Sequence, residues 1–562
     1  VVRPWTWLLT RTSDCKIFQD KTIRQIIEKV FADHPYADFE FHLTSSYTTW
    51  AYCVQYRESD FNFLTRLMEQ EGMHFFFRHQ NGKHTLVIAD SLRAHVAADH
   101  YGEVRFREPE TTHARADEGI REWSHGAEIQ PTRFIQRDFN FEKPRADMQA
   151  DAGPARPLKH QHQAAFDIFD YPGEYEERGE GQRIAAVRIE EMRHQFDHFN
   201  GEGNAAGLAT GGLFKLLEHP RDDQNQEYLI VEADYRVEES PLESELATTE
   251  LIGLRFRAIP SAQIFHPPRL TPKPIVQGPQ TAIVVGPAGD EIYTDKYGRV
   301  KVQFHWDRYG KKDQNSSCWI RVSHPWAGQN WGMIAIPRIG QEVIVEFLEG
   351  DPDRPIITGR VYNADQMPPY ALPANMTQTG IKTRSTKGGG VANFNEIRFE
   401  DKKGAEQVYI HAEKNQDIVV ENDETTNVGH DRTETVGHDE TITIHNDRTE
   451  TVGHNEVVTI GANKAETVAV AKALSIGAGY AVTVGAGMNT AVGLGQFEEV
   501  GVDKTVVVGT DFSLTAGDSI TFTVGKSVLV MKKDGTITLN GKTIDVVGSD
   551  HIQLDGKRID LN

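Results

Sequence analysis

From Val428 onward one apolar position returns every eight residues: Val428, Val436, Ile444, Val452, Ile460, Val468, Ile476, Val484, Val492, Val500, Val508, Ala516 and Val524. Gly follows it in eleven of the thirteen octads, His445 and Ala469 being the exceptions, and Thr or Ser precedes it in nine. Three places after it, twelve of thirteen residues are Asp, Asn, Gly or Ser, with Ala471 the exception. Thr-Val reads as a short strand with β-branched residues on both faces, and Gly followed by Asp, Asn or Gly supplies the turn chemistry that redirects the chain. Each octad is a strand plus a corner.

A single-chain β-helix needs coils of roughly twenty residues to enclose its own core. Eight residues with one or two inward side chains cannot do so. The economical arrangement is an intertwined β-helix in which three identical chains wind around one axis, each supplying one face, with the Val/Ile column at the centre. At roughly 4.8 Å between neighbouring strands, thirteen rungs make a rod on the order of 60 Å long. It has no lateral edge strand. The alternative of a calcium-binding solenoid lacks its nonapeptide signature and its period. His430, His438 and His454 share the register two places after the column. If that position faced inward, three copies of each would meet near the axis as a candidate ion site; otherwise they are solvated corner side chains. Glu434, Glu450, Glu466 and Glu498 recur two places before the column, where alternation predicts an inward position.

Elsewhere the 562 residues suffice for several cores, about three to five domains. The net charge of −22 repels phosphate backbones and argues against nucleic acid as a partner. Cys15, Cys53 and Cys318 are odd in number, far apart and without metal spacing, so they read as free thiols in a reducing compartment. No apolar run reaches transmembrane length. The chain opens on "VVRPWTWLLT", which reads as the inside of a strand.

Between Ile275 and Asn363 the texture becomes aromatic and rich in Gly and Pro. "GRVKVQFHWD" alternates Val300, Val302, Phe304 and Trp306 with polar residues, and "CWIRVSHPWAGQNWGMIAIPRIGQEVIVEFLEGDPDRPIITGRVYN" adds further strands. Five short antiparallel strands predict a small OB-type barrel. Nearer the N-terminus, "DKTIRQIIEKVF" and "SDFNFLTRLMEQEG" predict two amphipathic helices, the second capped by Ser59 and stopped by Gly72. The runs Trp319–Val322, Pro337–Val343 and Gly350–Pro355, with "YRESDFNFLTRLMEQEGMHFFF" and "GLFKLLEHPRDDQNQEYLIVEADY", resemble the VgrG family of type VI secretion spike proteins and the matching parts of contractile-phage spikes. The resemblance covers essentially the whole chain in family order, with the opening strands before Val1 missing.

The resemblance implies a mainly β, multidomain fold: an α+β tail-hub region over residues 1–270, an OB domain over 271–365, a neck over 366–410 and the β-helix with its tip over 411–562. It implies a homotrimer that caps a hexameric Hcp tube, contacts baseplate components, meets a membrane transiently while puncturing it, carries effectors, and passes from the cytoplasm to the outside or into target cells. No HExxH, GxSxG or Walker loop is present, and "TKGGG" at 386–390 reads as a connector, so no catalytic residue and no cofactor is expected. His194 and His198 in "EMRHQFDH" have helical spacing and read as a solvated helix face. The neck and the tail beyond the repeat are too short for an inserted enzyme. Two alternatives stay open: a device whose catalytic C-terminal domain lies outside this sequence, and a contractile-phage-type baseplate spike. Past Val524 the beat fails while apolar alternation continues. Ile552, Leu554, Ile559 and Leu561 are therefore expected to form an open-edged docking face, which the resemblance assigns to a PAAR-repeat cap.

Overall fold

The computed structural model describes residues 2–108, 117–155, 166–237 and 252–561; Val1 and Asn562 lie outside them. The chain divides into two compact units, Val1–Thr426 and Asn427–Asn562.

In the first unit, α1 (Ile23–Phe31) starts at a capping box between Thr22 and Gln25 and buries Ile23, Ile26, Ile27, Val30 and Phe31, as its periodicity predicts. The second helix, α2 (Asp60–Glu71), has Ser59 as its cap and ends at Gly72, which sits at φ +76°, a conformation that glycine adopts without strain. Both helices pack on the antiparallel pair Ser13–Lys21 and Trp50–Ser59 around Phe18, Phe63, Leu64 and Leu67. The opening segment is not a strand. Trp5–Thr10 is a 3₁₀ helix, and Trp5 turns inward to meet Phe31 edge to face at 5.1 Å. A seven-stranded sheet forms a second core around Phe199, Phe214, Tyr228 and Phe256. The third helix, α3 (Arg178–Arg193), ends before His198, which lies in the strand Asp197–Gly203. His194 is buried beside Phe265, so the expected histidine pair on a solvated helix face is absent.

The OB domain is a five-stranded sheet running Lys301–Phe304, Gln280–Val285, Glu342–Phe347, Pro355–Val361, Arg321–Val322, with Val284, Val302, Phe304 and Val345 in its core. Paired amide bonds of 3.0 and 2.8 Å between Val300 and Ile320 close the ring. The strands are not all antiparallel: Arg321–Val322 runs parallel to Pro355–Val361. An odd number of strands cannot alternate direction around a closed ring. The neck is likewise more than a connector, because Gln378–Lys382, Glu396–Glu400 and Gln407–His411 form an antiparallel sheet.

The loop Gly350–Pro355 fastens this barrel to the hub. Lys273 Nζ lies 2.8 Å from Asp351, 2.9 Å from Asp353 and 3.5 Å from Glu174. Asp353 also accepts from the Val54 amide at 2.6 Å, and Arg354 pairs with Asp138 at 2.6 Å. Burial works against a charge on Lys273, but Asp353, Asp351 and Glu174 outweigh it and hold the ammonium well above its ordinary pKa. Lys273→Met leaves these carboxylates facing one another without their cation. We expect it to destabilise the first unit by about 3 kcal/mol, read as a lower calorimetric midpoint.

A second buried group is neutral. His95 Nδ1 donates to the Gly211 carbonyl at 2.9 Å, so its Nε2 accepts from His74 Nε2, 3.1 Å away, while the rings stack. A second proton would set two N–H groups against each other. Burial lowers His74 to about 3 and His194 to about 4. The folded values lie below the unfolded value near 6.5, so stability is complete above that pH and falls as pH drops toward 4. Scanning calorimetry from pH 8 to pH 4 is expected to show a flat midpoint above about pH 7 and a steep decline below it. His74→Gln makes that decline shallower.

Candidate assembly interface

The octads are visible in the backbone. Bends recur in pairs at eight-residue spacing from Glu413–Lys414 to Gly517–Asp518, and the six residues between them are extended. Among the described residues, no backbone-to-backbone hydrogen bond involves any residue from 413 to 517. An extended chain whose amides and carbonyls meet only water has no reason to stay extended. The segment is incomplete as a single chain.

Side-chain exposure shows which face is incomplete. Every Val and Ile of the column from Val428 to Val508 is 45–51% exposed, a uniformity that no other row shares. Residues two places earlier, such as Ile442, Val482 and Leu514, lie on the same side and are somewhat more open. Residues two places after the column stand fully out: Val470, Leu494 and Val502 are 89–105% exposed. The column extends one unit further upstream than its sequence signal, because Val420 matches it at 47%. The signal failed there because Glu421 replaces the usual Gly. At the other end Val524 does not match. It is 79% exposed and belongs to the antiparallel meander Ser519–Val524, Ser527–Lys532, Ile537–Asn540, so the rungs stop at Ala516.

The recurring glutamates now have partners. Glu434 pairs with Arg432 and Glu450 with Arg448, each at 2.9 Å, Glu466 with Lys472 at 2.7 Å, and Glu498 with Lys504. In each case the cation sits four places before a column residue, so it lies on the same side of the strand. His430 and His438 are instead about nine-tenths exposed, each bonded to the adjoining Asp431 or Asp439. His454 shares their register. This is corner geometry, and the condition for an axial ion site is not met.

Two sheets outside the octads each carry one bare apolar face. In the neck, Ile381, Ile397 and Ile410 stand opposite one another, with Phe399 beside Val408. In the meander the face is Ile520, Met531 and Ile537 with Phe522, Leu529 and Leu539. Beyond it the tail has its own beat, Ile537-x-Leu539, Ile544-x-Val546, Ile552-x-Leu554, Ile559-x-Leu561. Ile544, Ile552 and Ile559 are 45–50% exposed, the same band as the column, whereas Leu554 and Leu561 are more open.

Comparison with known proteins follows the same divisions. Residues 1–241 match the phage tail baseplate hub (GPD) family, 281–362 the type VI secretion system/phage-baseplate injector OB domain, and 379–492 the bacteriophage T4 gp5 C-terminal trimerisation domain. The type VI secretion system spike protein VgrG1b of Pseudomonas aeruginosa is 53% identical over 429 residues, 75% of this chain and 57% of that one. The chain belongs to the VgrG family of type VI secretion spike proteins. VgrG1a of the same organism is 52% identical over 432 residues, 76% of this chain and 66% of its own. A Vibrio cholerae relative named as actin cross-linking toxin VgrG1 is 38% identical over 432 residues, 75% of this chain and 38% of its own. This VgrG chain thus spans 57% and 66% of the lengths of the two Pseudomonas relatives. Among its described residues no helix is long and apolar enough to cross a membrane.

The ion pairs make a specific demand on this VgrG chain. Arg448→Ala removes the cation beside Glu450 and leaves that carboxylate alone on the column's side of the strand. We expect Arg448→Ala to lower the melting point of the assembled octad region, and Arg448→Ala with Glu450→Ala to restore part of the loss, measured by circular dichroism.

Proposed function

We propose that this chain is a non-enzymatic spike: three copies build a rod of octads, the hub and OB domains form the collar that caps a hexameric tube of Hcp type, and the rod is driven through a target membrane carrying effectors. The observation that supports this reading is the half-exposed Val/Ile column on a backbone with no partner in its own chain. Two further copies satisfy both needs at once. The family matches to a hub, an injector OB domain and a trimerisation domain, in that order, support the same assembly. On this reading residues 1–270, 271–365, 366–410 and 411–562 are hub, barrel, neck and rod with tip, and the protein acts after leaving the cell that makes it.

The direct test is mass. Light scattering on the purified chain is expected to give three times 63.1 kDa. Val452→Asp places three carboxylates at one level of the column and is expected to weaken assembly by several kcal/mol, about 3 or more. A folded monomer of the unaltered chain refutes the rod.

The tail refines the tip. Ile552 and Ile559 share the column's exposure and are assigned to the rod's own core, while Leu554 and Leu561 are left for a conical PAAR-repeat cap. Leu554→Asp with Leu561→Asp is expected to abolish capture of a cognate cap while leaving the trimer intact.

A second reading is favoured by the relative named as an actin cross-linking toxin, namely that a spike of this kind carries a catalytic part. Fragment release from peptidoglycan by the pure chain, abolished by a point substitution, would establish it over the first.

A further inference from the structure

The two corner rows of the octads change character at the same level. Two places after the column the residues run His430, His438, Asn446, His454, then Ala462, Val470, Ala478, Ala486, Leu494, Val502, then Thr510 and Asp518. Three places after it they run Asp431, Asp439, Asp447, Asn455, Asn463, then Ala471, Gly479, Gly487, Gly495, then Asp503 and Asp511. Between Lys472 and Glu498 the sequence has no charged residue and no histidine on any face. These corners are the most outward positions of the strand, since Val470 and Leu494 are fully exposed opposite a half-covered column. A rod selected only for solubility would keep its Asp and His corners throughout. Within the uncharged stretch Leu494 and Phe497 are 105% and 86% exposed, and apolar side chains of this size are more stable in a medium other than water.

We propose that the stretch between Lys472 and Glu498, which holds the rungs around Ile476, Val484 and Val492, forms an uncharged belt that contacts the hydrocarbon of a lipid bilayer. The proposal rests on the three-chain reading above. Three rungs at roughly 4.8 Å each span about 14 Å, close to half of the roughly 30 Å of a bilayer core, the depth of one leaflet. In three intertwined chains every backbone group is paired, which is the condition for a β-structure to lie in lipid. Just below the belt the charges Glu466 and Lys472 sit on the column's side and pair at 2.7 Å. Lys472 marks the lower boundary, and Glu498 and Glu499 the upper. Threefold symmetry repeats the apolar corners all round the rod. A ring of mostly small side chains fits a uniform medium better than a protein partner, which would engage one patch through aromatic anchors in pockets.

The test uses single cysteines at Asp439, Ala478, Leu494 and Asp511 in a Cys15→Ser, Cys318→Ser background, where the remaining Cys53 is fully buried. Each is labelled with a polarity-sensitive nitrobenzoxadiazole dye. The protein is then mixed with detergent-dissolved phosphatidylethanolamine and phosphatidylglycerol bearing brominated tails, and the detergent is removed so that no contractile force is needed. At Ala478 and Leu494 the dye is expected to shift to the blue and lose most of its emission to bromine. At Asp439 and Asp511 it is expected to stay as in water. Light scattering on the same samples separates the two readings. A trimer whose four dyes all report water, or are all quenched alike, overturns the belt and leaves the spike standing. A labelled chain that is no trimer while remaining folded overturns the rod and the belt with it. Ala478→Asp serves as the control: trimer retained and lipid association lost supports the belt, whereas association retained overturns it.

Discussion

The octad segment depends on peptide groups that have no partner in their own chain. From residue 413 to 517 the backbone is extended, and its donors and acceptors face outward from a single strand. Folding such a segment alone costs its conformational entropy and returns neither a hydrogen-bond ladder nor a covered column. Three copies, as proposed, would supply both. The first unit is different in kind: its clusters around Phe63, Phe214 and Val302 are closed within one chain. On the three-chain reading the protein joins domains whose cores close within one chain to a segment whose stability is a function of protomer concentration.

The same constraint explains the side-chain pattern. The glutamates two places before the column, Glu434, Glu450, Glu466 and Glu498, each have a cation within 3 Å on the same side of the strand. Charge on the outer corners is free to vary, and there it does, from His and Asp to Ala and Gly and back. In the first unit buried charge is handled by the same rule at a different place. Lys273 among Asp351, Asp353 and Glu174 ties the loop of the OB barrel to the hub, so the run "GDPDRP" is a fastening as well as a family mark.

What was legible in the sequence was whatever repeats or follows a local period. The octads, α1, α2 with its Ser59 cap and Gly72 stop, and the barrel strands through Val302 and Phe304 could all be read before any coordinates. What was not legible depended on partners distant in the chain. The pairing of Lys273 with residues about eighty positions away leaves no local trace, and neither does the inward turn of Trp5. His194 and His198 kept helical spacing across a helix end. Val524 kept the beat while its strand had already turned back on itself, since an eight-residue spacing fits a meander as well as a rung. The tail's alternation was legible but its beat was not, because its Ile-x-Leu or Ile-x-Val pairs step by seven, eight and seven rather than by eight.

A repeat this regular leaves one thing undetermined. Three chains slipped by one octad still set Val against Val along nearly the whole column, so the column by itself distinguishes such registers only by the single rung lost at an end. The elements that do not repeat make the distinction. A slip of eight residues in the neck would carry Ile397 and Phe399 past the end of their strand, and in the meander it would carry Phe522 past the turn at Gly525–Lys526 to the level of Val530 in the next strand. Both sheets have an apolar face that only other copies can cover, and each occurs once per chain. Their bare faces and the octads are thus complementary: the octads supply length and stiffness without a unique alignment, and the two sheets supply alignment without length.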